Sequence, residues 1–256
     1  MFFPAWPLLG TGQLFATEVL ERGHHSVLSE KVRAVSRFTL FADVTPPEFE
    51  AILSAAREKR FSRRESIYTE GDPVRQVTML LSGFVKVTQM GVNGNEVILR
   101  LNGAGEIVGS YRVCTNCTHC STAQAVQPCV ALVWDAAMFE KLQARIPAFR
   151  RNSVRALEER LQEMEQRFRE VSTEKVGSRL SSELVRISDR LRKSSDILEI
   201  TLSRAELAQL TGTTLFTVSR LLCQWQNQGI VRIRRESVLV QDFQALAQIS
   251  QERESA

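Results

Sequence analysis

The hydrophobic positions along this chain change their period twice. From residue 57 to 135 they fall in short runs separated by turn residues. Ser66-Ile67-Tyr68-Thr69 stops at Glu70-Gly71-Asp72-Pro73, and the run 77–81 stops at Ser82-Gly83. The run 84–88 meets Gly91-Val92-Asn93-Gly94-Asn95, a hairpin signal, and the run 97–101 meets Asn102-Gly103-Ala104-Gly105. Short, evenly spaced strands with glycine turns predict an antiparallel barrel or sandwich. Ahead of it, residues 29–41 read as a short helix. A second helix starts near Thr45-Pro46-Pro47, where Thr45 or Asp43 can cap and the prolines fit the first turn.

The period then becomes helical. Val154, Leu157, Leu161, Met164, Phe168 and Val171 recur at steps of 3 and 4, with Glu, Arg and Gln on the other faces. So narrow a stripe reads as a heptad seam between two copies of the chain, the plainer alternative being a helix packed on its own domain. Gly177 and Ser181-Ser182 mark the expected hinge. Leu184, Val185, Ile187, Ser188 and Leu191 give a further amphipathic helix.

Residues 203–222 have a plan of their own. Ser203 and Glu206 form an S-x-x-E capping box, which satisfies amide donors at a helix start. Leu207 and Leu210 make its apolar stripe. Gly212 falls where a sharp bend needs a positive φ, and Thr213 or Thr214 can cap the helix that follows. That helix buries Val218, Leu221, Leu222 and Trp225, leaving Phe216, Ser219, Arg220 and Cys223 on the other face. Two short helices about a glycine turn predict a helix-turn-helix, whose second helix enters the major groove of DNA, although an ordinary helical hairpin has the same outline. Residues 230–240 then alternate as two strands about a polar turn, a β-hairpin wing. Between Gly212 and Arg235 the charged residues are Arg220, Arg232, Arg234 and Arg235, with no acid among them, which suits phosphate contact.

Charge and composition narrow the partners. The net charge of +4 permits nucleic acid without requiring it. No apolar run approaches the ~18 residues of a membrane span. Residues 1–30 hold prolines, glycines and His24-His25 without a partner pattern, and form a poor signal peptide. We therefore expect a weakly ordered arm and a cytoplasmic protein. In that compartment the five cysteines read as thiols, metal ligands or redox groups. Cys114-Thr115-Asn116-Cys117-Thr118-His119-Cys120 carries three of them, and Cys129 follows nine residues later. Thiolates at this spacing suit an iron–sulfur cluster or zinc, with Cys129, His119 or a dimer partner as fourth ligand. A redox disulfide and a loop of unliganded thiols are the alternatives. Nothing arranges a nucleophile, a base and an oxyanion site together, so no enzyme is expected.

Taken in order, a β-roll, a long dimer helix and a winged helix-turn-helix resemble the CRP/FNR family of bacterial transcription regulators. Tyr68-Thr69-Glu70-Gly71-Asp72, Leu81-Ser82-Gly83-Phe84-Val85-Lys86-Val87 and Gly105-Glu106-Ile107-Val108-Gly109 carry the likeness in the roll. Leu202-Ser203-Arg204-Ala205-Glu206-Leu207-Ala208 and Thr217-Val218-Ser219-Arg220-Leu221-Leu222 carry it in the DNA-binding part. The resemblance implies an α+β chain: an arm at 1–30, a jelly-roll sensor at 31–145, a dimerisation helix at 146–173 and the DNA-binding domain at 174–248. It implies a homodimer on near-palindromic duplex DNA, with RNA polymerase as a further partner. Thr213, Thr214, Phe216, Thr217, Ser219, Arg220, Arg232, Arg234 and Arg235 would touch DNA.

Two positions depart from the family. Nucleotide-binding members supply a ribose glutamate just after the residue matching Gly109, and a phosphate arginine about ten residues on. Here Ser110 or Tyr111 and His119 or Cys120 stand there. The cyclic phosphate would lack its bidentate partner, which argues against cyclic AMP. Gly109, Ser110, Ser121 and Thr122 remain the expected effector pocket, and 121–125 look more like the fumarate-nitrate branch. A redox, oxygen or nitric oxide signal through Cys114, Cys117 and Cys120 is the favoured expectation, with a small-molecule effector as the alternative. Phe216 stands where the family usually has a glutamate. It cannot accept a hydrogen bond from cytosine, but it can pack on a thymine methyl.

Overall fold

The computed structural model describes residues 35–109, 117–192 and 198–251. The expected arm at 1–30, Ser110 and Cys114 lie outside them. A 3-10 turn at Thr39–Phe41 leads to helix α1, Pro46–Ser54. Its capping box pairs Thr45 with Glu48, whose Oε2 accepts the Thr45 amide at 3.0 Å. Eight strands follow: β1 Arg57–Phe61, β2 Ser66–Tyr68, β3 Gln76–Ser82, β4 Val85–Met90, β5 Glu96–Asn102, β6 Ile107–Val108, β7 Thr122–Ala125 and β8 Cys129–Asp135. They form two antiparallel sheets ordered β1-β8-β3-β6 and β2-β7-β4-β5, the predicted jelly roll.

Val85, Val87, Leu80, Ala123 and Ala131 fill the space between the sheets. Behind the first sheet, Phe41, Phe49, Trp134, Phe139 and Phe149 form a second cluster, and Trp134 Nε1 donates to the Ile52 carbonyl at 2.9 Å. Burying each large apolar side chain contributes ~1.5–3 kcal/mol. Helix α2, Ala136–Arg145, is capped by Asp135, which accepts from the Ala137 and Met138 amides. Helix α3, Pro147–Thr173, is the predicted long helix, with Pro147 in its first turn.

The hinge differs from the sequence reading. Helix α3 ends at Thr173, with Glu174 as its C-cap, and helix α4 runs Val176–Arg192, so Gly177 and Ser181-Ser182 are helical. Gly177 lies near Leu221, and Ser181 Oγ donates into the core to the Leu246 carbonyl. These small residues let the helix pack closely and do not bend it. The turn is held instead by Arg179, which donates to the Glu174 carbonyl at 2.7 Å and to the Thr211 carbonyl.

The remaining elements are β9 Glu199–Ile200, helices α5 Arg204–Thr211 and α6 Leu215–Asn227, β10 Val231–Ile233, β11 Val238–Val240 and helix α7 Phe243–Gln251. The predicted hairpin wing gains β9 as a third strand, in the order β10-β11-β9. Strand β5 is an edge of the roll. Its outward carbonyls are taken by arginines: Leu99 accepts from Arg167 of α3 at 2.7 Å, and Leu101 from Arg190 of α4 at 2.6 Å. Glu183 joins this junction through Arg167 at 2.6 Å, and Glu170 pairs with Arg186.

Candidate functional site

The helix-turn-helix forms as its residues dictate. Ser203 Oγ accepts the Glu206 amide at 3.2 Å, while Glu206 Oε2 accepts the Ser203 amide at 3.0 Å. Gly212 adopts φ 62° and ψ 45°, the left-handed end of α5. Thr214 rather than Thr213 caps α6, accepting the Thr217 amide at 3.2 Å, and its hydroxyl lies 2.9 Å from that of Thr217. Val218, Leu222 and Trp225 are buried. On the outer face Phe216 is 78% exposed, and Arg220 is exposed one turn further on. Ser219 is half-buried beside them.

The wing arginines do not act alike. Arg232 and Arg235 are exposed. Arg234 Nη1 sits 2.9 Å and 3.0 Å from the two carboxylate oxygens of Glu199. Ser237 holds the same carboxylate at 2.6 Å, and with Arg234 keeps its pKa below the usual range. Arg234 is thus exposed but already paired with Glu199. Glu199 lies outside the acid-free stretch, so reading 212–235 alone hid it.

In the roll, Gly109 and Ser121 of the predicted pocket come together at Tyr68, while Thr122 turns away. Gly109 adopts φ +89°, and a Cβ there would lie 2.8 Å from the Tyr68 ring. Its carbonyl accepts from Arg160 of α3 at 2.7 Å. Ser121 is buried on the inner side with Tyr68, but Thr122, the next residue on an alternating strand, faces the other way. Its hydroxyl accepts the Glu70 amide at 3.1 Å. Sequence reasoning missed Tyr68. Its buried Oη forms no hydrogen bond among the described residues. Burial pushes the phenol's pKa up, while Ser121, Arg100 and Arg160 pull the other way. An inward tyrosine after a β-branched residue was the one available signal. Beside it a cleft of about 360 Å³ opens, lined in part by Asp72, Arg75 and His119.

Among the described residues the free cysteines do not gather. Cys117 is disulfide-bonded, while Cys120, Cys129 and Cys223 are free. Cys120 and Cys223 are exposed. Cys129 is buried, with Sγ 3.3 Å from the Phe84 carbonyl and 3.0 Å from that of Gln127. The Cys120 carbonyl instead accepts from Gln89, five residues beyond Phe84 along β4. Cys129 thus sits at the Phe84 end of β4 and the Cys120 backbone near its Gln89 end, roughly 16 Å along the strand. Among the described residues no group of three or more His, Cys, Asp or Glu side chains could hold a metal. Cys114 lies outside the described residues, and among those described only His119 and Cys120 of the loop are left with a free ligand atom once Cys117 is in its disulfide.

Comparison with known proteins agrees with this architecture. Residues 58–145 match the cyclic nucleotide-binding domain family, and residues 178–249 match the Crp-like helix-turn-helix domain. The chain belongs to the CRP/FNR family of transcription regulators. A CRP-like cAMP-activated global transcriptional regulator of Mycobacterium tuberculosis is 24% identical over 216 residues, covering 83% of this chain and 96% of its own. The cyclic AMP receptor protein of Thermus thermophilus is 27% identical over 211 residues, covering 82% and 96%. The fumarate and nitrate reduction regulatory protein of Escherichia coli is 22% identical over 197 residues, covering 76% and 78%. Among solved structures, FixK2 from Bradyrhizobium japonicum shares the fold with a TM-score of 0.65 at 20% identity, covering 78% of this chain and 98% of that one. As a CRP/FNR regulator the chain binds DNA through its helix-turn-helix, whose second helix is α6. No helix among the described residues is long and apolar enough to cross a membrane.

Proposed function

We propose that this CRP/FNR regulator is a homodimer that reads near-palindromic duplex DNA, and that the redox state of the 117–120 loop sets its affinity. The pairing rests on one observation. Val154, Leu157, Leu161, Met164, Phe168 and Val171 of α3 are each 41–75% exposed in a single row. A row of this kind on a 27-residue helix is a seam waiting for a second copy. Pairing through it sets two α6 helices about one duplex turn, ~34 Å, apart. Thr213, Thr214, Phe216, Thr217, Ser219, Arg220, Arg232 and Arg235 supply the DNA contacts. RNA polymerase and a cytoplasmic location complete the reading.

The sensor half rests on thiol chemistry. Cys117 is in a disulfide and Cys120, three residues on, is a free exposed thiol. The loop backbone is zipped to 71–74: the Gly71 amide donates to the His119 carbonyl, and the Val74 amide to the Cys117 carbonyl. His119 stacks on Tyr68, which packs on Gly109, and Gly109 holds Arg160 of the dimer helix. A rearranged loop therefore reaches α3 through three contacts. Reducing the Cys117 disulfide takes two electrons and two protons from a dithiol reductant and frees two thiols, and a thiol oxidant reverses it; neither step needs a metal.

A second reading has its own observation. Arg100 and Arg160 both act on the buried Tyr68 oxygen, which suits a small anionic effector. Some relatives are named for cyclic AMP. Cyclic AMP fits poorly, because His119 or Cys120 stands where the family's phosphate arginine belongs.

Oxygen-free purification with absorption spectra and metal analysis tests both readings. DNA affinity is then measured before and after a thiol oxidant. We expect a colourless, metal-free dimer whose affinity changes at least ~10-fold between reduced and oxidised protein, ~1.4 kcal/mol, and does not change in Cys117→Ser. A chromophore with stoichiometric iron overturns the thiol mechanism. A thermal shift with small anions and no thiol dependence favours the second reading.

A further inference from the structure

The β4–β5 hairpin builds the roll and also grips the DNA-binding domain. Lys86 on the outer face of β4 is only 8% exposed. Its ammonium lies 3.2 Å from Glu206 Oε1 and 3.8 Å from Glu96 Oε2. The other oxygen of Glu206 closes the capping box at the start of α5. One carboxylate thus starts the helix-turn-helix and ties it to the roll. Beside it, Ile98, Leu101 and Val126 share an apolar cluster with Leu202 and Leu207. A second clasp holds the wing turn: Glu236 meets Arg63 at 2.7 Å and Arg64 at 3.4 Å. A cleft of about 240 Å³ between the clasps is lined by Arg63, Arg64 and Lys86 from the roll and by Ser203, Glu206 and Glu236 opposite.

The beginning of α5 therefore faces the roll. In a helix-turn-helix the first helix crosses the DNA backbone, and a helix N-terminus is a ready phosphate site. That end and Glu236 of the wing turn are tied to the roll, so the domain cannot turn towards a duplex without breaking both clasps.

We propose that Lys86–Glu206 and Arg63/Arg64–Glu236 form an intramolecular latch that keeps the DNA-binding domain docked on the roll, and that opening it raises DNA affinity. The latch deepens the DNA-binding reading and rests on it. The same hairpin also approaches Tyr68 on its inner face. Lys86 pairs with Leu101 across the hairpin and Val87 with Arg100, so Arg100 falls on the inner face, towards Tyr68. A shift of these two strands on the cavity side moves the clasp on the other.

The test begins with wild-type protein selecting duplexes from a random pool, and uses the winning duplex as probe. Affinity is compared for Lys86→Met, Glu206→Gln and the double variant Arg63→Ala/Arg64→Ala. Glutamine at 206 keeps an acceptor for Ser203. We expect each variant to bind at least five-fold tighter, and Lys86→Met combined with Glu206→Gln to add little to either alone. Amides of 98–102 should also exchange hydrogen faster. Lys86→Met and the arginine pair remove positive charge while Glu206→Gln removes negative charge, so a shared gain cannot come from net charge. Unchanged or weaker binding by natively folded variants overturns the latch. If Lys86→Met fails to fold, the exposed Arg63/Arg64 pair decides the matter alone. A wild type that selects no duplex overturns the DNA reading instead.

Discussion

The phenol ring of Tyr68 lies flat against the imidazole of His119, with centroids 3.7 Å apart and planes 9° from parallel. Burial lowers the His119 pKa, and Asp72 opposes the shift. The neutral ring is thus the one that fits the stack. An unfolded chain binds this proton near pH 6.5, while the folded chain resists it, so His119 costs stability as pH falls below ~6.5. His119→Phe keeps the stack and removes the proton. Urea midpoints at pH 7.5 and 5.5 should fall further for wild type than for the variant, and equal falls would reject the assignment.

Charging the seam should separate the copies. Leu161→Glu or Phe168→Glu places a carboxylate in the apolar row of α3. In isolation neither side chain supports the fold, since both are exposed. Sedimentation should show folded monomers, with operator affinity down at least ~100-fold, ~2.7 kcal/mol, because each half-site then binds alone.

The arginines near DNA should split by partner. Arg220→Ala should relax one base position, at a cost of ~1–3 kcal/mol in discrimination. Arg232→Ala should weaken binding on every sequence and reduce the salt slope by about one. Arg234→Ala should leave that slope unchanged, since Glu199 already holds its charge. Salt titrations of the three variants check the ranking.

Phe216 offers a chemical test. A thymine methyl that packs on its ring is lost when deoxyuridine replaces thymidine. Each such exchange along the operator half-site should weaken wild type at one position only. In Phe216→Ala that position should show no preference.

Gly83 is held by its surroundings. At φ +89° a Cβ would lie 2.6 Å from Cys129 Sγ and 2.7 Å from the Pro128 carbonyl. Gly83→Ala should destabilise by ~1–3 kcal/mol or more, combining strain with overpacking. Adding Cys129→Ala should not restore the loss, because the carbonyl stays. Thermal unfolding of both variants checks this.

Much of the DNA-binding domain was legible because local chemistry decides it. Ser203, Glu206, Gly212 and Thr214 act within a few residues of themselves, and each does what its type predicts. The exposed apolar row of α3 was legible because its period is helical and its neighbours are charged. What escaped depends on distant chain. Strand β1 reads Arg-Glu-Lys-Arg-Phe and shows no apolar alternation, since only Phe61 is buried. Strand β9 is two residues long and gets its ladder from β11. Neither Arg234–Glu199 nor Lys86–Glu206 has a local sign, the partners being 35 and 120 residues apart. The cysteine spacing suggested one centre, yet sheet topology sends Cys129 to the far end of the roll.

The arginines on the edge of β5 carry a cost for anyone who divides the chain. Arg167 and Arg190 belong to helices outside the roll, so a sensor fragment ending near residue 145 would bare the carbonyls of Leu99 and Leu101. It would also uncover Ile98 and Leu101 on the same strand. An open, apolar strand edge is a template for another chain, and such a fragment should aggregate where the intact protein stays dispersed.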